Sequence, residues 1–415
     1  MMMSKAPAHG NDDVYGRPGG NASIPSASFN FMNSVIGAGI IGLPYALKRT
    51  GSISGVALLL FIAALTDFSV ALLVSAGVRS NRFTFEGLVR HLFGDAARRV
   101  VLIFMFVFSF GAMTAYVVVI GDTVPSVIHA ATGMVVDRRL TIVVVAVAFL
   151  LPLVLLRSIE HLSPTSLLSM VAVLGIVGTI AFHRLPFSAD DVDAFAVIKP
   201  RSMFGGIGAM SFAFVCQNNT FILYRSLQDP TPARFRIVTH VSLGASALIC
   251  LAMAVTGFFR FLGQTKSNIL NNFDDDDVTV GVARALLAVN MVLTYPLEMY
   301  VARQCTMQAL GVPDAQHTFA KYAPVVVGLW LATTGVAVVA GDDLGTVMEL
   351  TGAFAASCLG YIIPGMCHLK AVRDNGKTGR ITWSAREIGA VALIVFGTVA
   401  MIAGSTSALH QDTTH

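Results

Sequence analysis

Long apolar runs separated by short polar connections account for most of the chain. An α-helix needs roughly 20 apolar residues to cross about 30 Å of hydrocarbon, and about eleven runs come near or exceed that length. They predict spans at residues 28–47, 52–78, 100–128, 139–156, 166–182, 204–224, 236–260, 279–301, 322–341, 344–369 and 386–408. These spans leave a polar, disordered tail at 1–27 and a short tail at 409–415.

The composition indicates an all-α integral membrane protein. Of the 415 residues, 55% are hydrophobic and 13% are charged, whereas soluble domains carry about 25% charged residues. Lys and Arg collect in the loops on one side of the predicted bundle, which predicts a cytosolic N-terminus. An odd number of spans then places the C-terminus on the extracellular or luminal side. The 5 cysteines all fall within or beside predicted spans, which is typical of packing residues.

The first predicted span is interrupted. Its sequence from Ser28 to Pro44 contains Asn30 and Asn33 and is broken by Gly37 and Gly39. Freed backbone N–H and C=O groups have no partners in hydrocarbon, so such a break is tolerated only where it faces protein or lines a cavity. The backbone at Gly37, Ala38 and Gly39 is therefore a candidate for binding a carboxylate, because small residues let a ligand approach the main chain closely.

The sixth predicted span carries a run of three amides, Gln217, Asn218 and Asn219, among aromatic and aliphatic residues. Amides that hydrogen-bond between helices contribute only about 0.6–2 kcal/mol in membranes. We therefore favour a wet, protein-lined cavity for these side chains, and the alternative is that they only join helices. Two interrupted spans about five apart are typical of a secondary transporter built from inverted repeats, with its site at their interface. Half-helix N-termini and unwound carbonyls together suit an amino acid zwitterion.

Several ordered motifs resemble one known family. They are SFNFMNSVIGAGIIGLPYA at 28–46, FAFVCQNNTFILYRSL at 212–227, TKSNILNNF at 265–273, LTYPLEMYVAR at 293–303 and LGTVMELTGA at 344–353. This sequence resembles the sodium-coupled neutral amino acid transporters, within the amino acid/auxin permease family. The resemblance implies a LeuT-like fold of two inverted five-helix repeats, at about 28–182 and 204–369, with broken helices 1 and 6 and an extra helix at about 386–408.

The resemblance also implies site residues. The substrate pocket would be formed by Gly37, Ala38, Gly39, Ile40, Tyr116, Phe212, Phe214, Gln217 and Asn218. A sodium ion would bind neutral oxygens of Asn33 and Thr294 and backbone of the unwound helix, for which we select Ile36. The alternative for Asn33 is a packing amide, and the alternative for Thr294 is a hydroxyl bonded to its own helix before Pro296. Relatives often have histidine where this chain has Gln217, which leaves proton coupling open.

Four carboxylates within predicted spans are candidates for coupling, because ionisable groups in a membrane are expensive and usually functional. We expect Asp67 to form a structural pair with Arg284. Asp122 is placed near the outer third of its span, in a gate or packing role. Glu298 is placed near an inner helix end, and Glu349 in the first half of the tenth span.

The predicted function is secondary active transport of neutral amino acids, such as glutamine, alanine or asparagine, by alternating access coupled to Na⁺. One alternative is a proton-linked exporter or exchanger of a vacuole or lysosome, and another is a transporter-shaped amino acid sensor. The expected partners are the amino acid, a coupling cation and the lipid bilayer. No cofactor, ATP or nucleic acid is expected. The sequence contains no apparent arrangement of catalytic residues, so we do not expect an enzyme.

Overall fold

The computed structural model describes residues 20–155, 165–182, 198–200, 202–275, 277–312, 318–341, 343–375 and 383–411. Most of the two predicted tails lies outside these ranges. The helices are α1 Ile24–Val35, α2 Leu43–Thr50, α3 Ser52–Ser80, α4 Phe85–Phe93, α5 Asp95–Thr132, α6 Arg138–Val145, α7 Leu151–Leu155, α8 Thr165–Phe182, α9 Met203–Phe214, α10 Gln217–Ser226, α11 Pro232–Phe261, α12 Val278–Ala309, α13 Phe319–Ala340, α14 Leu344–Thr351, α15 Ile363–Asn375 and α16 Ala385–Gln411.

Short π-helical turns join some of these helices into longer rods. Ala146–Leu150 connects α6 to α7, and Gly352–Ala356 with Cys358–Ile362 connects α14 to α15. Within the described residues, 8 rods are long and apolar enough to cross a membrane, or up to 9 if the bent pair formed by α1 and α2 is one span. The number of spans, about eleven from the sequence, therefore stays a prediction.

The first interruption separates α1 from α2. Helix α1 ends at Val35, Gly37 is extended (φ −112°, ψ −153°), and a 3₁₀ turn spans Ala38–Gly42. The two helical parts are bent by 51° relative to each other. Gly37 and Gly39 both lie at this break. Glycine permits the bend because it has no Cβ atom to restrict the backbone.

The second interruption separates α9 from α10. Helix α9 ends at Phe214, Val215 is extended (φ −66°, ψ 122°), and α10 begins at Gln217. The side-chain oxygen of Gln217 accepts a hydrogen bond of 3.0 Å from the backbone N–H of Cys216. An amide side chain thus satisfies a main-chain donor that the break has freed.

The interrupted helices lie in the centre of the bundle. Helix α1 packs against α11, while α2 and α14 pack against α9. The long helices α5 and α12 pack along each other, and α3 packs against α15. Helix α4 lies across the end of α5 with Phe85, Leu88, Val89 and Leu92 buried. This arrangement surrounds both interruptions with rigid helices.

Candidate functional site

The two interruptions meet at one small cavity of about 40 Å³. Its walls come from α1, the 3₁₀ turn, α5, α9, α10 and α12. The lining residues are Ser34, Val35, Gly37, Gly39, Phe108, Ala112, Tyr116, Phe212, Ala213, Val215, Asn218, Asn219 and Glu298. Main chain, three polar side chains of the breaks and one carboxylate therefore face a single space, together with aromatic rings.

Gly39 brings the two interruptions into direct contact. A Cβ atom at Gly39 would lie 2.7 Å from Cα and 2.8 Å from Cβ of Ala213 in α9. A Cβ atom does not approach non-bonded atoms this closely in proteins, so only glycine lets the 3₁₀ turn pack this closely on α9. At Gly37 the nearest heavy atom to an added Cβ would be the Tyr116 hydroxyl, at 3.9 Å. Gly37 therefore faces open space within the cavity.

Five of the predicted pocket residues line the cavity, namely Gly37, Gly39, Tyr116, Phe212 and Asn218. The other pocket residues are Ala38, which lies between the two glycines, and Ile40, Phe214 and Gln217, which are fully or almost fully buried. The amide nitrogen of Gln217 donates to Ser69 Oγ and to the Gly360 carbonyl, each at 3.3 Å. Gln217 thus ties α10 to α3 and to the π-helical turn, away from the lining residues.

The sequence analysis placed Glu298 near an inner helix end, and this placement is wrong. Helix α12 runs to Ala309 rather than ending at the predicted residue 301, so Glu298 lies about three turns from its end and lines the cavity. Its Oε2 accepts a hydrogen bond of 2.7 Å from Ser109 Oγ of α5. The sequence signal that could have placed Glu298 at the cavity is that it is a carboxylate in the middle of a long helix.

Sequence reasoning placed Phe212 in the pocket but missed Phe108 and Ala112, which complete an apolar wall. Phe108 and Phe212 approach each other with ring centroids 5.5 Å apart, and Ala112 lies beside them in the lining of the cavity. Phe108 and Ala112 occupy one face of α5 together with Tyr116, because residues four apart share a helix face. The spacing alone does not say which face of α5 points inward.

The predicted sodium ligands differ in their surroundings. Asn33 Oδ1 is buried and has no hydrogen-bond partner among the described residues. Thr294 Oγ1 bonds within its own helix, at 2.7 Å from the Asn290 carbonyl and 3.2 Å from Asn290 Oδ1. A hydroxyl that donates in this way keeps lone pairs for a cation. Ile36 is buried beside the break, and its N–H donates to the Met32 carbonyl.

The expected pair of Asp67 with Arg284 does not form. Arg284 lies at the start of α12, where Asp275 is 3.0 Å away and the carbonyls of Leu270 and Phe273 each accept at 2.9 Å. The loop before α12 folds back over the arginine and satisfies it locally. Asp67 instead lies 2.8 Å from Nδ1 of His240 in α11.

Two ion pairs join helices at the end of the bundle that the sequence predicts to face outward. Arg49 of α2 lies 3.0 Å from Glu349 of α14, whose side chain is only 1% exposed. Arg138 of α6 lies 3.0 Å from Asp122 of α5, which also accepts hydrogen bonds from Asn268 and Asn271. The first pair joins α2 to α14, and the second joins α5 to α6 and to the segment before α12.

Comparison with known proteins identifies the family to which this chain belongs. A model for a family described as transmembrane amino acid transporter protein matches residues 20–409. The chain belongs to this amino acid/auxin permease family. Putative sodium-coupled neutral amino acid transporter 11 of Danio rerio is 34% identical over 410 residues, covering 96% of this chain and 89% of the relative. The Mus musculus protein of the same name is 34% identical over 407 residues, covering 96% and 88%.

Two more distant matches are a vacuolar transporter and a solved structure. Vacuolar amino acid transporter 2 of Saccharomyces cerevisiae is 28% identical over 417 residues, covering 96% of this chain and 85% of the relative. The crystal structure of MhsT in complex with L-phenylalanine matches 95% of this chain and 100% of that chain, with a TM-score of 0.61 at 13% identity. The permease therefore has a LeuT-like fold.

These findings confirm part of the sequence analysis. The protein is a multi-pass membrane protein of an amino acid transporter family, and it is not an enzyme. Within the described residues, no group of three or more His, Cys, Asp and Glu side chains is placed to hold a metal ion.

Proposed function

We propose that this permease is a secondary active transporter of neutral amino acids that works by alternating access and is coupled to Na⁺. The observation that carries the proposal is the convergence of both interrupted segments on one cavity. In that cavity, main-chain N–H groups of the 3₁₀ turn that follows Gly37 would bind the substrate carboxylate, because the N–H of Gly37 itself donates to the Val35 carbonyl at 3.1 Å. The ammonium group would lie near Glu298, the one carboxylate among the described lining residues.

The chemistry of the lining favours a neutral side chain. The described residues of the cavity wall include no Lys, Arg or His, so a second carboxylate on the substrate would have no cationic partner. Phe108, Phe212 and Ala112 offer an apolar surface, while Asn218 and Asn219 offer amides. A small or amide-bearing amino acid, such as alanine, asparagine or glutamine, matches this combination.

The proposed membrane arrangement keeps the sequence-based topology. Helices α1 with α2, and α9 with α10, would each form one broken span among about eleven. The N-terminus would be cytosolic and the C-terminus extracellular or luminal, in the plasma membrane or a vacuolar or lysosomal membrane. The ends carrying the Arg49–Glu349 and Asp122–Arg138 pairs would then face away from the cytosol.

We expect Asn33→Ala to weaken activation of transport by Na⁺. The buried Oδ1 of Asn33 has no hydrogen-bond partner in the described part of the chain, so a cation is a fitting occupant. Removing one charge-assisted contact of about 1.5–3 kcal/mol should raise the Na⁺ concentration for half-maximal uptake by roughly tenfold or more. The measurement is initial uptake rate against Na⁺ concentration. Asn30→Ala, on the exposed face of the same helix, is the control and should behave as the parent; equal Na⁺ activation in all three proteins would contradict the ion site.

A proton-linked carrier is the second candidate, and Glu298 favours it. A carboxylate that lines the cavity can bind either a proton or a cation, and Ser109 Oγ donates a hydrogen bond to it. If protons drive transport, Glu298→Gln should abolish accumulation driven by a pH gradient but leave substrate exchange intact. If Glu298 only binds the ammonium group, the same variant should instead raise KM for exchange. Ser109→Ala is the milder companion variant.

The assay that separates these functions is transport by purified protein in liposomes. Labelled alanine, asparagine and glutamine are offered with a Na⁺ gradient, and then with choline replacing Na⁺ at fixed pH. Sodium coupling predicts loss of accumulation in choline, whereas proton coupling predicts that a pH gradient alone suffices. One charge moving through 100 mV supplies about 2.3 kcal/mol, enough for roughly a fifty-fold substrate gradient. Saturable binding without any flux would favour the sensor instead.

A further inference from the structure

A groove separate from the central cavity lies between α3 and α11, where α16 begins. Its volume is about 290 Å³. The last turns of α3, the first turns of α11 and the N-terminal turn of α16 form its sides. These helix ends lie on the side of the bundle that the sequence predicts to face the cytosol. We call this feature the α3–α11 groove.

Three arginines converge on the α3–α11 groove, namely Arg79 of α3, Arg236 of α11 and Arg386 of α16. All three side chains are exposed, and none of their guanidinium groups has an ion pair or hydrogen bond among the described residues. Two nearby carboxylates already have partners. Glu387 accepts from Ser384 and lies 3.4 Å from His368. Asp67 of α3 lies 2.8 Å from His240 of α11. Within the described residues, neither carboxylate forms an ion pair with the three guanidinium groups.

The helix ends add to this positive potential. Helices α11 and α16 both begin at the groove, and a helix N-terminus carries about half a positive charge, although Thr231 and Ser384 already cap one N–H group each. Guanidinium groups bind phosphate oxygens through two parallel hydrogen bonds. The mouth of the groove therefore has the charge and the donors that a phosphate group requires.

The floor of the same groove is apolar. Val70, Val74 and Phe235 form its base and are at most 4% exposed, and Val70 lies ten residues before the end of α3, about 15 Å along the helix. Val78 and Ile237, on the two helices that form its sides, are 39% and 50% exposed. A charged mouth at the helix ends above an apolar trough at hydrocarbon depth matches the shape of a phospholipid, with its head group above and an acyl chain below.

We propose that the α3–α11 groove binds an anionic phospholipid of the cytosolic leaflet. Its phosphate would be held by Arg79, Arg236 and Arg386, and one acyl chain would lie along Ala71 and Val78, above the buried base of the groove. Basic pockets between membrane helices on this side of a protein attract anionic head groups. A soluble phosphate compound would use the mouth alone and leave the trough without a partner. The site lies on different helix surfaces from the central cavity.

Native mass spectrometry of the purified full-length protein tests the site, with lipid titrated in as phosphatidylinositol 4,5-bisphosphate, phosphatidylserine or phosphatidylcholine. Each arginine at a membrane surface contributes about 1 kcal/mol, so Arg236→Gln with Arg386→Gln should weaken bisphosphate lipid binding about 30-fold. The matched control is Arg99→Gln with Arg373→Gln, which removes the same charge from exposed arginines at the same end of the bundle. The control should bind as the parent does.

A second comparison separates the lipid from a soluble phosphate. Ala71→Phe places a ring in the trough and leaves all three arginines in place, since Ala71 lines the groove on α3. We expect it to weaken binding of the lipid but not of soluble inositol 1,4,5-trisphosphate, with unchanged thermal stability; if Ala71→Phe destabilises the fold, the smaller Ala71→Leu replaces it. Equal weakening by both arginine pairs would overturn the site in favour of diffuse charge. Equal affinity for lipid and soluble trisphosphate would overturn the phospholipid as its occupant.

Discussion

Replacing Gly39 with alanine is expected to abolish amino acid transport. The added methyl group would lie 2.7 Å from the Ala213 Cα atom, and backbone cannot move aside as a flexible side chain does. The 3₁₀ turn and α9 must then separate, which displaces the N–H groups that we propose bind the substrate carboxylate. Overpacking of this kind costs about 1–3 kcal/mol, and 3 kcal/mol corresponds to a rate about 100-fold lower. The measurement is initial uptake by equal amounts of protein in liposomes.

Gly37→Ala is the matched control for this prediction. The same methyl group fits at position 37, where the nearest heavy atom would be 3.9 Å away. It would protrude toward the Tyr116 hydroxyl and reduce the cavity, so we expect retained transport of small substrates and weaker transport of glutamine. Thermal unfolding of both variants separates misfolding from a changed site. Parent-like transport by Gly39→Ala would contradict the contact between the two interruptions.

The second large effect is expected from Glu349→Gln. This change leaves Arg49 without its partner at a site where Arg49 is 16% exposed and Glu349 is 1% exposed. Breaking a buried ion pair costs about 3 kcal/mol or more, which corresponds to a population shift of about 100-fold. The state in which α2 and α14 are joined should therefore lose population. Net uptake should fall, and an impermeant thiol reagent applied outside should react faster with a cysteine placed at Ala112.

Two further variants serve as controls for the Glu349→Gln result. Asp343→Asn removes a charge from the start of the same helix but keeps an oxygen to cap the N–H of Thr346, so it should transport as the parent does. Arg49→Gln combined with Glu349→Gln removes the unpaired charge and should recover stability and part of the uptake. A double variant as inactive and as unstable as Glu349→Gln would show that the pair serves folding rather than closure of this side.

The interrupted segments could be predicted from the sequence because they place glycines and amides within otherwise apolar spans. Glycines at 37 and 39 and amides at 217–219 are expensive in an apolar span, so each marks a place where main chain meets a polar space. The same reasoning does not assign individual side chains. Gln217 and Asn218 are adjacent, yet Gln217 caps the break while Asn218 lines the cavity. The rotation of a short helix around its axis decides between these outcomes, and three consecutive amides give no periodicity from which to predict that rotation.

Ion pairing was harder to predict than the breaks. Asp67 and Arg284 lie in different spans, and a sequence offers no distance between them. Arg284 is satisfied by the loop directly before its own helix, while Asp67 meets His240, which was not considered as a partner. Glu298 was misplaced because charged and polar residues at the end of α12 hid the continuation of the helix to Ala309. Helix ends in water are set by capping and packing rather than by apolar length.

Substrate protection of a cysteine in the cavity tests the central claim most directly. Ala112 lines the cavity on α5, and the change to cysteine adds one sulfur atom. The 5 native cysteines are buried, so the parent protein provides the background rate. We predict that Ala112→Cys reacts with a membrane-permeant maleimide and that each transported amino acid slows this reaction, with the same concentration dependence as its transport. An unchanged rate of modification at substrate concentrations that saturate transport by Ala112→Cys would contradict a substrate site between the two interrupted helices.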